Sequence, residues 1–436
     1  MTPKQSRTIQ HALDRLYGTK SWMSMDVETV RRLDFQKILA REFQVRPDNG
    51  RMLLTDSGLS HFKSLVSTID AANLFGARAD YSDVWTACKN VLQELIQHDQ
   101  QPETADEFVQ LVREQVQGSI RQRGFVVSMY GVQLTGLDTF EVGRFSLVRP
   151  SEKVLEDQGI LDRRGSLPTL MDQMGRQQLW FLGTVEGTER VARREFFDHA
   201  RLTAGLFAIL AASSYEGGAE AFRIGAVVSP EEARTPVSVY LSWASGEDGL
   251  GFGRQMRKGQ DYEVTSSFAT ESEPVAGYCR LRDILQKKHR TPLEAAVVRA
   301  VFWFADAHRD SSEVMRLVKY WSCIEGFFSA GEDITRSVSI GTAAVLTFGP
   351  LGMISKDEYL ETRARLVALY GKRSRAVHRA MHDHVDSTDL QNLSQWVAWL
   401  LLSMAEMTES YTDSKHILAH SFSLDQELDR DSHGNS

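Results

Sequence analysis

Residues 359–382 read YLETRARLVALYGKRSRAVHRAMH. Six basic side chains, Arg363, Arg365, Lys372, Arg373, Arg375 and Arg379, share this stretch with one acid, Glu361. Tyr359, Leu366, Val367, Tyr370 and Val377 recur at helical spacing, which predicts a helix. That helix carries the run Tyr370-Gly-Lys-Arg373-Ser374-Arg375-Ala-Val-His378 to its C-terminal end, and His382-Asp-His-Val-Asp beyond it reads as a loop.

Histidine can both take and release a proton near neutral pH. Arginine is a permanent cation whose planar fork of donors matches phosphate oxygens. The pair suits cleavage of a phosphodiester by its neighbouring 2′-hydroxyl, a reaction that requires no metal. Five residues of a regular helix turn Arg373 and His378 roughly 140° apart, so one continuous helix does not aim both at one point. Fraying near His378, a bent Arg373 or a second subunit would resolve this. Ser374 and His378, four apart, share a face. Basic residues at a helix C-terminus also suit the helix dipole and commonly form a solvated face. Spacing alone does not separate that role from catalysis.

Tyr370-x-x-Arg373-Ser374-x-x-x-His378 resembles the Arg-x4–6-His signature of HEPN ribonucleases, above all the ApeA-like HEPN group of bacterial antiviral proteins. The surroundings agree over about residues 290–410. A helix pair ends in Lys319-Tyr-Trp-Ser-Cys-Ile-Glu325-Gly-Phe-Phe; a short Arg336-containing segment, the motif helix and a last apolar helix follow. The resemblance implies an all-α four-helix bundle that dimerises, with two Arg/His pairs meeting at the interface, and RNA cleavage without a metal or other cofactor. It departs from the family at Arg379, where glycine is frequent. Ala380 stands where one branch carries a modified tyrosine, so that branch's modifying enzyme is not implied.

The chain has 436 residues, long enough for two or three domains. Its apolar (42%) and charged (25%) fractions are those of an ordinary globular protein. A net charge of −8 argues against a general polyanion binder, so RNA must be met by a local patch. Cys88, Cys279 and Cys323 are too widely spaced for a zinc site or a disulfide framework, which fits a reducing cytoplasm. The first residues lack a signal-type apolar run, and no apolar stretch is long enough to span a membrane.

Residues 1–122 read as a helical N-terminal region: Ser6–Leu16, Met25–Phe43, Leu59–Leu74, Tyr81–His98 and Ala105–Gln122, with Asp26, Ser82 and Thr104 as N-caps. Residues 123–285 read as an α+β middle region with antiparallel strands. Phe125–Tyr130 and Gln178–Gly187 are strand-like, and Thr139–Leu147 alternates in two pieces broken at Gly143, suggesting a bulge. Ser151–Arg176 reads as a loop with a short helix, Arg193–Ser213 as a helix, and Ala221–Val228 and Pro236–Trp243 as strands. Gly249-Leu-Gly251-Phe-Gly253-Arg lacks a dinucleotide-fold context and reads as a mobile loop; His308-Arg309-Asp310 has no kinase context. His378, His382 and His384 have no acid or cysteine cluster to complete a metal shell.

A linker at Arg280–Arg290 leads to the helical bundle of residues 290–420, opening on Thr291 as N-cap before Pro292. Glu325 falls on an apolar stripe with Trp321 and Val318, so it either lies at the stripe's edge or pairs with Arg373 or Arg336. Leu390, Leu393, Trp396, Val397, Leu400, Leu401 and Met404 form a broad apolar face, part of which is expected to be dimer surface. Residues 421–436 read as a polar, disordered tail.

The expectation is a mostly helical α+β protein: a metal-independent endoribonuclease, acting in defence against phage or as a toxin, under control of its N-terminal regions through a phage-derived or other trigger. His378 is the expected general acid/base. Arg373 is expected to bind the scissile phosphate, helped by Ser374 and Glu325, with Tyr370, Lys372, Arg375, Arg379 and Arg336 as RNA contacts. The alternative is a non-catalytic RNA- or protein-binding module in which the bundle only dimerises.

Overall fold

A computed structural model describes residues 1–25, 38, 41–44, 51–158, 178–214, 218–229, 237–243, 250–256, 260–266, 277–329, 333–379 and 385–434. The protein is mostly helical α+β, with a small sheet in the middle and helices at the C-terminal end. It divides into two compact units, Met1–Arg123 with Thr184–Phe196, and Gly124–Gly183 with Phe197–Ser436.

In the first unit, α1 (Pro3–Leu16) starts at Thr2, whose hydroxyl accepts from the Gln5 amide while the Gln5 side chain answers the Thr2 amide. Strands β1 (Trp22–Ser24), β2 (Glu42–Gln44) and β3 (Arg51–Leu54) form a sheet in the order β1-β3-β2. Glu42 and Phe43, at the end of the expected Met25–Phe43 helix, lie instead in β2; residues 26–37, including the Asp26 cap, and 39–40 lie outside the described residues. The reason is packing: Phe43 is fully buried from β2 and stacks edge-on against Trp22 and Phe62, at 5.3 and 5.2 Å. Helices α2 (Asp56–Ala71), α3 (Tyr81–Gln97) and α4 (Ala105–Ser119) enclose the same core through Leu65, Ile69, Leu92, Phe108 and Val112. Asp80, rather than Ser82, caps α3, accepting from the amides of Ser82 and Asp83. Thr104 caps α4 as expected.

The middle begins with β4 (Arg121–Tyr130), β5 (Val132–Thr135), β6 (Thr139–Val142) and β7 (Phe145–Val148). The break at Gly143 is a hairpin turn, not a bulge: Val142 pairs with Phe145, and Gly143 takes φ +65° as the first residue of the two-residue loop. After the short helix α5 (Glu152–Asp157), residues 159–177 of the expected loop lie outside the described residues. With β8 (Leu179–Gly187), α6 (Glu189–Ser214) and β9 (Gly225–Ala226), the five-stranded sheet has the order β6-β7-β8-β4-β9. The strand expected over Ala221–Val228 shrinks to β9, since Gly218–Ala221 forms a 3-10 turn. Strands β10 (Val237–Trp243) and β11 (Leu250–Met256) pair antiparallel, so Gly251–Arg254 lies in a strand rather than a mobile loop. The pairing of β12 (Tyr262–Thr265) with β5 is parallel, against the expected antiparallel pattern.

Among the described residues seven α-helices follow: α7 (Tyr278–Gln286), α8 (Pro292–Arg309), α9 (Glu313–Phe328), α10 (Ile334–Phe348), α11 (Tyr359–Arg379), α12 (Ser387–Met407) and α13 (Ser414–Gly434). The expected linker at Arg280–Arg290 is largely α7, which buries Tyr278, Leu281, Ile284 and Leu285. Nor does a boundary near 285–290 separate compact units, because the middle is bonded to the helices. The Ala219 amide donates to Ser394 Oγ (3.3 Å), the Ile224 amide to His308 Nε2 (3.1 Å), and Trp399 Nε1 to the Ser213 carbonyl (3.0 Å). Arg336 sits in a full helix, α10, and not in a short segment.

Two further expectations fail for one physical reason: helices that look surplus in sequence find partners within the chain. The broad face of α12 is internal, Leu390 through Met404 packing against α7, α8, α9 and α10 with Trp396 the most exposed at 7%. It therefore supplies no dimer surface. The polar tail is helix α13, which buries Ile417, Leu418, Ser421 and Asp425 against α10. Asp425 is 1% exposed and accepts hydrogen bonds from the Tyr359 hydroxyl (2.8 Å) and from Arg363.

Candidate functional site

The inner face of α11 buries Tyr359, Leu366 and Leu369, which fixes how the helix is turned against its neighbours. Tyr370 then meets Trp321 of α9 edge-on, with ring centroids 5.4 Å apart. Three residues further on, Arg373 Nη2 donates to Glu325 Oε2 at 2.6 Å. The two side chains retain 14% and 18% of their exposure, so the pair sits at the rim of the core. The Arg373 guanidinium also lies 5.6 Å from the centre of the Tyr370 ring. Burial, then the negative charge of Glu325, raise the pKa of the Tyr370 hydroxyl, and Arg373 opposes them. Of its two foreseen partners, Glu325 takes Arg373.

Arg373 Nε and Trp321 Nε1 are buried with no hydrogen-bond partner among the described residues. Gly326 follows Glu325 and is exposed, and a Cβ there would meet nothing within 4 Å, so the surface beside the pair is open.

His378 is exposed on the last turn of α11. The structure brings Arg373 and Glu325 together but describes no hydrogen bond or ion pair between Arg373 and His378. Ser374 and Arg375 are half-buried beside them. The Arg379 side chain lies outside the described residues, as do His382 and His384. Much of the basic run is engaged within the chain. Lys372 Nζ bonds Asp389 Oδ2 at 2.6 Å. Arg363 bonds Asp425 and lies 3.5 Å from Asp429; burial disfavours its charge, yet these acids raise its pKa. Arg365 lies over the Trp396 ring at 5.2 Å. Arg336 does not pair with Glu325; its guanidinium faces Phe422 of α13 at 5.6 Å.

Sequence reasoning missed Asp389, Asp425 and Trp396 as partners of the basic helix. Asp425 read as tail and Trp396 as part of a broad apolar face, and no spacing rule links these residues or Asp389 to basic residues so far away in the chain. Among the described residues no group of three or more His, Cys, Asp and Glu could hold a metal ion, and no helix is long and apolar enough to cross a membrane. Comparison with known protein families, characterised proteins and solved structures finds no match to this chain.

Proposed function

We propose that this protein is an endoribonuclease of HEPN type. The observation that carries the reading is the Glu325–Arg373–Tyr370 cluster at the base of the turn that exposes His378. An arginine fixed on one side by a carboxylate is oriented before substrate arrives, which is how a phosphate clamp avoids reorganising in the reaction. Glu325 occupies Nη2, and Nε is buried, so Nη1 is the nitrogen left for a phosphoryl oxygen. The 2′-hydroxyl of the substrate attacks phosphorus, and the bond to the 5′-oxygen of the next nucleotide breaks. His378 takes the proton from the 2′-hydroxyl or gives one to the leaving oxygen. The products are a 2′,3′-cyclic phosphate and a 5′-hydroxyl.

The angular separation of Arg373 and His378 on one helix calls for a second copy of the chain, its His378 completing the site around Arg373. Exposed Leu360, Val367 and Val377 on α11 support such a contact, in place of the α12 face. The resemblance to antiviral HEPN proteins suggests defence against phage, with the N-terminal regions receiving the trigger. A binding-only bundle is the second reading. It is favoured by the engagement of Arg363, Arg365, Lys372 and Arg373 within the chain.

The test is incubation of purified protein with RNA in EDTA. Cleavage with cyclic-phosphate ends, absent from His378→Ala and Arg373→Ala, is expected; strict dependence on Mg²⁺ would count against the reading. Mixing the two inactive variants should restore part of the activity if the site is shared between copies. No restoration from a demonstrably mixed dimer would leave the site within one chain.

A further inference from the structure

In the first compact unit, α1 and α2 pack together, Ile9, Ala12 and Leu16 of α1 sharing a core with Phe62, Leu65 and Ile69 of α2. His11 and His61 each stand next to one of these core residues, Ala12 and Phe62, so the packing brings the two histidines alongside although they are far apart in the chain. Their ring centres lie 6.0 Å apart, with the planes at 72°. His11 is exposed and forms no hydrogen bond or ion pair among the described residues. His61 is half-buried, and its Nε2 lies 3.3 Å from the Oγ of Ser57, one turn earlier on α2.

A metal-bound imidazole nitrogen sits about 2.0–2.1 Å from the ion, which puts each ring centre about 3.2 Å from it, so two rings share one ion when their centres are closer than about 6.4 Å. The separation of 6.0 Å is within that reach. The rings meet edge-on, so one must turn to bring two nitrogens onto one point, and His11, being exposed, turns without displacing packed atoms. When His61 Nε2–H donates to Ser57 Oγ, its Nδ1 keeps a lone pair for the ion; a hydrogen bond at the far nitrogen is what orients ligating histidines in general. No third His, Cys, Asp or Glu joins the pair among the described residues, which leaves the remaining positions to water. Donation through nitrogen favours ions of the zinc, copper and nickel type over Mg²⁺ and Ca²⁺, which take oxygen ligands. Arg7 and Arg15, one turn from His11 on either side, keep the affinity modest.

We propose that His11 and His61 form a two-histidine site for a divalent transition-metal ion such as Zn²⁺, which clamps α1 to α2, with Ser57 orienting His61. The ion ties together two helices of the first unit and takes no part in the chemistry proposed at Arg373, so the site does not depend on the ribonuclease reading.

Calorimetric titration of the full chain with zinc chloride, and with magnesium chloride as control, tests it. Zn²⁺ is expected to bind with a Kd of about 100 μM or tighter, and Mg²⁺ at least about tenfold more weakly. His11→Ala and His61→Ala should each weaken Zn²⁺ by about tenfold or more, and the double variant no further than either, because the two ligands act as one site. His11→Gln, which keeps a polar side chain of similar size without an imidazole, should match His11→Ala. Zn²⁺ should raise the melting temperature of wild type more than that of His61→Ala, since an ion that binds only the folded protein stabilises it. Both histidines reach solvent, so the variants keep their fold, which a melting curve without metal verifies. No binding of Zn²⁺ at about 1 mM would overturn the proposal. So would wild-type affinity in either single variant, or losses that add in the double variant, which would mean two independent sites.

Discussion

Glu325 and His378 lie on neighbouring helices and are expected to answer mutation in opposite ways. Glu325→Gln removes the charge facing Arg373 at the rim of the core. Fully buried pairs lose about 3–5 kcal/mol when one partner goes; here, with both side chains partly exposed, a loss of about 1–3 kcal/mol is expected by chemical denaturation. RNA cleavage should fall with it, because Arg373 is no longer held. Wild-type stability and wild-type cleavage together would show that the pair does no work. His378→Ala removes an exposed ring, so stability should move by less than about 0.5 kcal/mol, while cleavage drops by about 10²–10⁴-fold. A folded His378→Ala protein cutting RNA at the wild-type rate would end the assignment of chemistry to this helix.

Helices α13 and α8 show how single carboxylates anchor whole elements. Asp425→Ala strips the acceptor from the buried Tyr359 hydroxyl and from Arg363, and about 2–4 kcal/mol of stability should go with it. Asp429→Ala, at a side chain 48% exposed, should cost less than about 0.5 kcal/mol. Equal effects in denaturant would mean that α13 is not held at Asp425. At the start of α8, Glu294 bonds Lys287 Nζ at 2.5 Å and closes the capping box with Thr291. Burial favours its neutral form, but these partners prevail and hold its pKa below the usual carboxylate value. A depressed folded pKa adds stability above the unfolded value, near 4.3, and that stability disappears as pH falls through the folded value. The melting temperature of wild type should thus exceed that of Glu294→Gln at pH 6, with the gap narrowing below about pH 4. A gap that persists unchanged to pH 3 would contradict this.

Across the whole molecule, a charge of −8 and the intramolecular engagement of most of the basic helix limit how many phosphates RNA can meet at that helix. For RNA that meets two or three phosphates at this helix, affinity should fall with salt at a logarithmic slope of about −1.5 to −2 for single strands. Fluorescence anisotropy across a KCl series measures it; a slope near −5 would place the RNA on another surface. The same view explains the compactness of the second unit. Hydrogen bonds from Ala219, Ile224 and Trp399 tie the middle strands and α6 to the C-terminal helices, so these stretches share one core.

Periodicity along the chain was enough to determine most of the helices, the strands at 125–130, 179–187 and 237–243, the Thr104 and Thr291 caps, and the presence of an unusual acid at Glu325. All of these depend on neighbours within a turn or two, where spacing carries the physics. The tertiary structure alone decided which cations are neutralised, since Lys372 with Asp389 and Arg363 with Asp425 are pairs far apart in sequence. It also decided that α12 faces inward, that a polar terminus becomes a docked helix, and that Phe43 sits in a strand. Short apolar segments suit helix and strand alike, and a polar segment with a few apolar residues suits helix and disorder alike. What separates them is burial against elements remote in the chain, and local spacing does not encode that.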